Sequence, residues 1–363
     1  MVARIATGRR APTRSRSIVS IAVEAAAALR RIAYLLEAAR AETYKVRAFR
    51  RAAATVDDTD AEQLERLATV GRLTDLPAVG DTTARVIAEA VAGEEPTYLL
   101  HLEEEHARWR AEVKAPAAAL RELLRGDCHS HSDWSDGGSP IAEMARAAAE
   151  VGHDYLALTD HSPRLTVAHG LDPERLVRQL QVVERLNEEL APFRILTGIE
   201  VDILEDGTLD QDPELLARLD VVVASVHSKL RMEAPQMTRR MVRAIESPHT
   251  DILGHCTGRI LVGRGRPQSR FDHDAVFAAC AATGTAVEIN SRPERLDPPE
   301  PLLLAAVAAG CVVSIDTDAH APGQLEWLVH GCDKAAGAGI PPERIVNTFR
   351  RDDLLAWTAG HAA

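Results

Sequence analysis

Aromatic residues are scarce in this chain. Phe, Tyr and Trp together make up 4% of its 363 residues, so Ala, Val and Leu must build most of the core. No apolar run is long enough to cross a bilayer. The Arg-rich segment from Met1 to Ser20 lacks the apolar stretch and cleavage site of a secretory signal. A cytoplasmic protein with no membrane partner is therefore expected. The five cysteines, Cys128, Cys256, Cys280, Cys311 and Cys332, form no Cys-x-x-Cys pair. An odd, scattered set argues against a disulfide framework, and buried apolar positions are expected for them.

Charge is plentiful but uneven. The net charge is −12. The first 55 residues carry 12 basic and 3 acidic residues, whereas residues 126–363 carry 22 basic and 36 acidic. A basic arm on an acidic body points to an anionic partner for the arm and to cations for the body.

Two regions differ in pattern. Residues 17–114 read as an all-helical domain, beginning with a helix over Ile18 to Arg40. The stretch Tyr44 to Ala53 mixes aromatic and basic positions. Leu64–Val70, a turn at Gly71 and the run Leu73 to Ala84 follow, which is a helix-hairpin-helix pattern. Backbone N–H groups at such a turn can hold a DNA phosphate. Lys45, Arg47, Arg50, Arg51, Val79 and Gly80 are the DNA-contact candidates. Such hairpins usually carry Gly where this chain has Ala78, and Asp81 opposes a phosphate. Residues 115–125 read as a helical connector.

From Gly126 short apolar runs alternate with helices. Strands are expected near 127–130, 155–159, 195–200, 221–225, 251–254, 286–289 and 311–315. Ser139-Pro140, Asp172-Pro173 and Asp297-Pro298 read as helix starts, and Gly152, Gly284 and Gly310 as helix ends. Such alternation implies a mostly parallel sheet, most economically closed into a barrel over residues 126–350. His129, His131, His161, Glu200, His227, His255, Asp318 and His320 lie at or just past the C-terminal ends of these runs. Those ends converge on one mouth of a barrel. His and carboxylate groups gathered there are the donors of a multinuclear metal site and of hydrolysis by activated water.

The ordered motifs Asp127-Cys128-His129-Ser130-His131-Ser132, Ser135-Asp136-Gly137, Thr159-Asp160-His161-Ser162, Gly198-Ile199-Glu200, Ser225-Val226-His227-Ser228, Gly254-His255 and Thr317-Asp318-Ala319-His320 resemble the PHP (polymerase and histidinol phosphatase) family. Thr257 to Arg264 and Glu288 to Asp297 look most like the PHP domain attached to bacterial family X DNA polymerases. Arg47 to Ala53 and the hairpin resemble the DNA-end-binding domain of those enzymes. A polymerase palm does not fit in the connector between the two parts, so templated synthesis is not expected.

The resemblance implies an α/β fold, a distorted (β/α)7 barrel with a smaller all-α N-terminal domain, and two to three divalent ions of Mn, Zn or Fe. It implies His129, His131, Asp136, His161, Glu200, His227, His255, Asp318 and His320 as ligands. Glu200 would be the bridging carboxylate, and Glu200, Asp318 and His161 the residues serving the reaction directly. Asp160 and Asp316 are candidates to orient ligands. Arg259, Arg264, Arg292 and Arg295 are candidates to hold substrate phosphate, since a guanidinium binds it bidentately. Three functions remain open at this point: a phosphodiesterase trimming DNA 3′ ends, a phosphatase for a small phosphate ester such as histidinol phosphate or a nucleotide, and a DNA-binding protein with a relict barrel. Oligomeric state is not legible.

Overall fold

The structure is a computed structural model that describes residues 18–361. The basic residues before Ile18, part of the expected arm, lie outside them. The chain divides into two units, Met1–Arg108 and Trp109–Ala363.

The first unit is helical: α1 (Ile18–Ala38), α2 (Thr43–Asp57), α3 (Ala61–Thr69), α4 (Asp81–Val91) and most of α5 (Thr97–Ala111). Helix α1 buries Ala25, Leu29, Ile32, Ala33 and Leu36, and α2 buries Val46, Phe49, Ala53 and Val56. These positions recur every three or four residues, so each helix turns one stripe inward. Ala and Leu also lose little conformational freedom in a helix. Asp60 starts α3 by accepting from the Glu62 and Gln63 amides, at 3.0 and 3.1 Å. Between α3 and α4, Gly71 has φ +69° and Ala78 has φ +58°. Ala78 thus takes the left-handed conformation that favours glycine at this turn.

In the second unit seven strands are all parallel and pair in sequence order. They are β1 (Gly126–Ser130), β2 (Tyr155–Leu158), β3 (Arg194–Asp202), β4 (Val221–Ser225), β5 (Ile252–Leu253), β6 (Ala286–Asn290) and β7 (Val313–Asp316). The helices are α6 (Ala115–Leu123), α7 (Ile141–Glu150), α8 (Pro173–Leu190), α9 (Pro213–Leu216), α10 (Ala234–Ile245), α11 (His273–Thr283), α12 (Glu300–Ala308), α13 (Leu328–Gly337) and α14 (Arg351–Ala359). Strand alternation sorts the side chains into two layers. Ile199, Val201, Val222, Ala224 and Val287 pack outward against α8, α10 and α11 residues, including Leu176, Met237, Met241 and Phe277. Tyr155, Ala157, Leu196, Val221, Val223 and Ala286 fill the lower interior, with Val346 and Leu354 from the C-terminal segment.

The barrel is nearly closed. Between β1 and β7 the only strand-like bridge among the described residues joins Ser130 and Ala319. Below it, Asn347 fills the seam. Its amide group donates to Gly126 O (3.2 Å) and Ile315 O (2.9 Å), its side-chain oxygen accepts from the Ile315 amide (2.7 Å), and its carbonyl accepts from the Arg125 amide (2.7 Å). The Cys128 amide donates to Asp316 Oδ1 at 2.8 Å.

Helix starts follow the expected signals in part. Asp172 caps α8 by accepting from the Arg175 amide (2.8 Å). Ser139 is buried and caps nothing, because Pro140 itself occupies the N-cap position of α7. Asp297-Pro298 does not start a helix either. Asp297 is buried and accepts from Thr257 Oγ1 at 2.6 Å, while α12 begins two residues later, after Pro299. Gly152, Gly284 and Gly310 all have positive φ beside helix ends. All five cysteines are free and buried. No helix among the described residues is long and apolar enough to cross a membrane.

Candidate metal centre

Strand β1 places two imidazoles on the upper interior. Cys128 packs in the lower interior layer, yet its neighbour His129 also reaches inward, to Glu288 and Glu200. A regular strand sends adjacent side chains to opposite faces. Here the register shifts between Asp127 and Ser130, and a bulge re-aims His129. Glu200 and Asp202 are two residues apart on β3 and share a face. His161, His227 and His255 follow β2, β4 and β5 by two or three residues, and Asp318 and His320 follow β7. Gly254 precedes His255 because a Cβ there would lie 2.2 Å from Ser225 Oγ.

Glu200 is the hub. Its Oε1 lies 2.8 Å from His255 Nε2 and 3.1 Å from His227 Nε2. Its Oε2 lies 2.9 Å from His161 Nδ1, 3.4 Å from His129 Nε2 and 3.6 Å from His131 Nε2. On the far side, Asp318 Oδ1 is 3.4 Å from His131 Nε2, and Asp136 Oδ1 is 3.3 Å from His320 Nε2 and 3.5 Å from His161 Nε2. Four groups of donor atoms result: His129–Glu200–His255, His161–Glu200–His227, His129–His131–Asp318 and His131–Asp136–His161–His320. All nine side chains named from the sequence fall in these groups. Neither Cys128 nor Cys256 does.

The residues fit divalent cations. Nine buried atoms here lack a hydrogen-bond partner: His129 Nε2, both ring nitrogens of His131 and of His255, His161 Nδ1, His227 Nε2 and both oxygens of Glu200. Each unsatisfied buried polar atom costs about 1–3 kcal/mol. Nine of them rival the whole stability of a domain, about 5–15 kcal/mol. Cations that accept one lone pair from each imidazole and those of Glu200 would remove the cost at seven of the nine, since the second nitrogen of neutral His131 and His255 carries an N–H. Imidazole and carboxylate donors suit Zn, Mn or Fe.

Two carboxylates set ligand tautomers. His129 Nδ1–H donates to Glu288 Oε1 (2.6 Å), and His227 Nδ1–H donates to Asp202. Both rings thereby turn Nε2 toward Glu200. Glu288 also accepts from the His255 amide. Neither orienting role was assigned from the sequence. The signals were present, however: a Glu inside the apolar run of β6, and an Asp two residues past Glu200. Asp160 and Asp316 touch no ligand ring. Asp160 accepts from the Ser132 amide (2.8 Å), Ser132 Oγ (2.6 Å), Ser135 Oγ and Gln179 Nε2 (2.6 Å), and so shapes the loop that carries Asp136. Asp316 works in the seam.

The charges answer each other. Burial disfavours the Glu200 carboxylate, but His227, His129 and His161 hold it well below the usual carboxylate range. Burial, with His320 and His161 nearby, keeps His131 well below the ordinary histidine range. Burial and Arg295 lower His255 to about 4. His131 and His255 are thus neutral donors.

A cavity of about 390 Å³ opens over the cluster, lined by Asp136, His161, Glu200, His227, Asp318 and His320, and by Arg292, Arg295, Leu165, Ile260 and Glu294. Arg295 donates to Asp318 Oδ2 (3.1 Å) and leaves Nη1 buried without a partner. Arg292 donates to the Asp318 carbonyl (2.8 Å) with its guanidinium 5.8 Å from the Trp327 ring centre. Arg259 is turned away: its Nε donates to Arg295 O (2.9 Å) and its Nη2 to Leu296 O, so it fixes a loop. Arg264 is exposed at a hairpin tip outside the lining.

On the helical unit Lys45, Arg47 and Arg51 are exposed on α2. Arg50 instead pairs bidentately with Glu37 at 2.7 and 3.0 Å, tying α2 to α1. Val79 is buried and its amide donates to Leu76 O (3.3 Å). The Gly80 amide donates to Thr83 Oγ1 (2.9 Å). Both amides named as phosphate donors are engaged within the turn.

Residues 127–292 match the PHP domain and residues 23–95 a helix-hairpin-helix domain. The DNA polymerase/3′-5′ exonuclease PolX of Bacillus subtilis (strain 168) is 40% identical over 248 residues, 68% of this chain and 43% of that protein. The alignment thus spans less than half the length of that relative. A probable phosphatase of Syntrophotalea carbinolica is 31% identical over 232 residues, 61% of this chain and 90% of that protein. The solved structure of histidinol phosphate phosphatase from Lactococcus lactis is 18% identical with a TM-score of 0.45, covering 60% of this chain and 95% of that one.

Proposed function

From the premise that the chain belongs to the PHP family, we propose that it is a metal-dependent phosphodiesterase that shortens DNA from the 3′ end. The observation carrying this reading is the set of donor groups sharing Glu200 beneath a cavity whose wall holds an unpaired Arg295 nitrogen, in a chain that also matches a helix-hairpin-helix domain. The name of the B. subtilis relative supports the choice of DNA. We take the nine side chains of the four groups as ligands for two to three ions. Residues 17–114 would bind DNA ends and residues 126–350 would carry the chemistry.

Divalent ions held there would neutralise charge on the phosphoryl oxygens and acidify the attacking water. Glu200 supplies the one carboxylate shared between two groups. Asp318 is locked by Arg295 and by Asn290 Nδ2 (3.2 Å), so its free edge stays aimed at His131. Arg295 Nη1 and the Arg292 guanidinium meet the scissile phosphate. Lys45, Arg47 and Arg51 hold backbone phosphates without reading sequence.

A second reading, a phosphatase for small phosphate esters, is favoured by one observation: two relatives named as probable phosphatases align over 90% and 89% of their own lengths. Manganese-loaded protein is assayed on 5′-labelled single-stranded DNA and, in parallel, on histidinol phosphate and nucleoside monophosphates. A His129→Ala, His131→Ala variant serves as control. DNA shortening absent from the control supports the nuclease. Phosphate release with intact DNA supports the phosphatase and refutes the first reading.

A further inference from the structure

The cavity over the donor groups is polar on most of its lining, but two loops bring apolar side chains to it. Leu165 comes from the loop after β2 and Ile260 from the loop after β5. Each loop continues outward with apolar residues that the protein leaves in water. Val167 is 84% exposed, Leu261 53% and Val262 41%. An isolated exposed apolar residue is unremarkable. Here three of the nine large exposed ones among the described residues fall in the two loops that line one cavity.

The second loop is built rather than slack. Ile260 and Arg266 pair as an antiparallel bridge, exchanging amide–carbonyl bonds of 2.9 Å in both directions. The Gly265 amide donates to Val262 O (2.9 Å), and Gly263 and Gly265 take positive φ. The Leu261 amide is tied to Glu294 O at 2.7 Å. The hairpin is therefore held to the loop that carries Arg292 and Arg295. It presents Leu261 and Val262 with Arg264 beside them, an apolar pair next to a cation.

That combination matches the end of a nucleic-acid strand: the apolar face of a base with a backbone phosphate close by. We infer that Val167, Leu261 and Val262, with Leu165 and Ile260 behind them, form a lip that holds the nucleobase of the terminal nucleotide, while Arg264 meets the next phosphate upstream of the scissile one. The inference rests on the nuclease reading and adds the residues that determine specificity. Apolar side chains can clamp a base as aromatic ones do, because every base has an apolar face. The lip selects for a base without selecting which base.

The test compares the parent with a Val167→Ser, Leu261→Ser, Val262→Ser variant, all loaded with manganese. Three substrates are used: a single-stranded oligonucleotide with an ordinary 3′ nucleotide, the same strand ending in an abasic 3′ residue, and bis(p-nitrophenyl) phosphate. The parent is expected to cleave the ordinary end about tenfold better in kcat/KM than the abasic end, equivalent to about 1.4 kcal/mol. The variant is expected to lose that preference, mainly through KM, and to keep the parental rate on the abasic end. A 2-aminopurine at the 3′ terminus gives a readout without turnover: in chelator its fluorescence changes on binding parent and not on binding the variant. DNA cleaved without base preference, a variant that keeps the preference, or equal losses on all three substrates overturns the lip alone. DNA left intact by a parent that cleaves the diester overturns the nuclease reading and the lip with it.

Discussion

Replacing Glu200 by Gln tests the centre most directly, because this residue belongs to two of the four donor groups. The substitution keeps the shape and removes the only carboxylate in both groups. The groups built on Asp318 and Asp136 keep theirs. Loss of an outer partner of a metal ligand typically weakens binding 10–100-fold, so loss of the ligand itself should cost at least about 100-fold. At a free ion concentration of 100 times the parental Kd, each ion stabilises the fold by about 2.7 kcal/mol, and after a 100-fold loss by about 0.4 kcal/mol. Two ions therefore account for a difference of about 4.6 kcal/mol. For the 255 residues from Trp109 to Ala363, an unfolding entropy of about 2.1 cal/mol/K per residue turns this into about 9 °C. The assay is a thermal scan of chelator-stripped parent and variant, each with and without Mn²⁺, alongside metal analysis after desalting. The quantity compared is the metal-induced shift, so any effect on the metal-free fold cancels. A variant whose shift stays within about 2 °C of the parent's, with unchanged metal content, would refute Glu200 as a shared ligand.

Four further outcomes are expected. Glu288→Gln should weaken metal retention about 10–100-fold in a chelator competition while leaving the number of ions unchanged, because it loosens His129 and not the ligand count. Joint substitution of Lys45, Arg47 and Arg51 by Ala should lower DNA affinity and flatten its salt dependence by about two to three charges in a binding titration. Arg50→Ala should instead destabilise the helical unit in a denaturation curve, since it removes the bidentate pairing that ties α2 to the buried Glu37 carboxylate of α1. His153 is held well below the ordinary histidine range by burial and by Arg121. The native state therefore binds fewer protons than the unfolded state below about pH 6.5, and stability is lost as the pH is lowered there, by up to about 1.4 kcal/mol per unit. His153→Gln should flatten that part of a pH–stability profile, measured by urea unfolding.

Much of the barrel could be read in advance, because six of the seven apolar runs obey one rule: His or carboxylate donors sit at or just past the ends of parallel strands. What escaped reading depends on three-dimensional neighbours. Glu288 looked like part of a motif, and only the barrel's closure brings it to His129, 159 residues away. Asp202 was missed because β3 runs two residues beyond its expected end. Asp160 and Asp316 sit beside ligands in sequence, yet pleating and loop geometry point them elsewhere. Arg259 and Arg50 carry the right charge for phosphate, but nearby carbonyls and a buried carboxylate claim them first. No local pattern announces Asn347, a polar residue in the middle of a single short turn, Val346–Thr348.

The seam between β1 and β7 ties these observations to assembly. Below, Asn347 bonds to Gly126 and Ile315 across it. Above, His131 from the β1 side shares donor groups with Asp318 and His320 from the β7 side. The barrel is thus a loop of chain with two clasps, one polar and permanent, the other ionic and removable. A growing polypeptide can fasten neither until residues some 200 positions apart have both emerged. Until then it carries two bare strand edges and an unfinished centre. Ions held by the two donor groups that span the seam would then also report that the last turn of the barrel has shut.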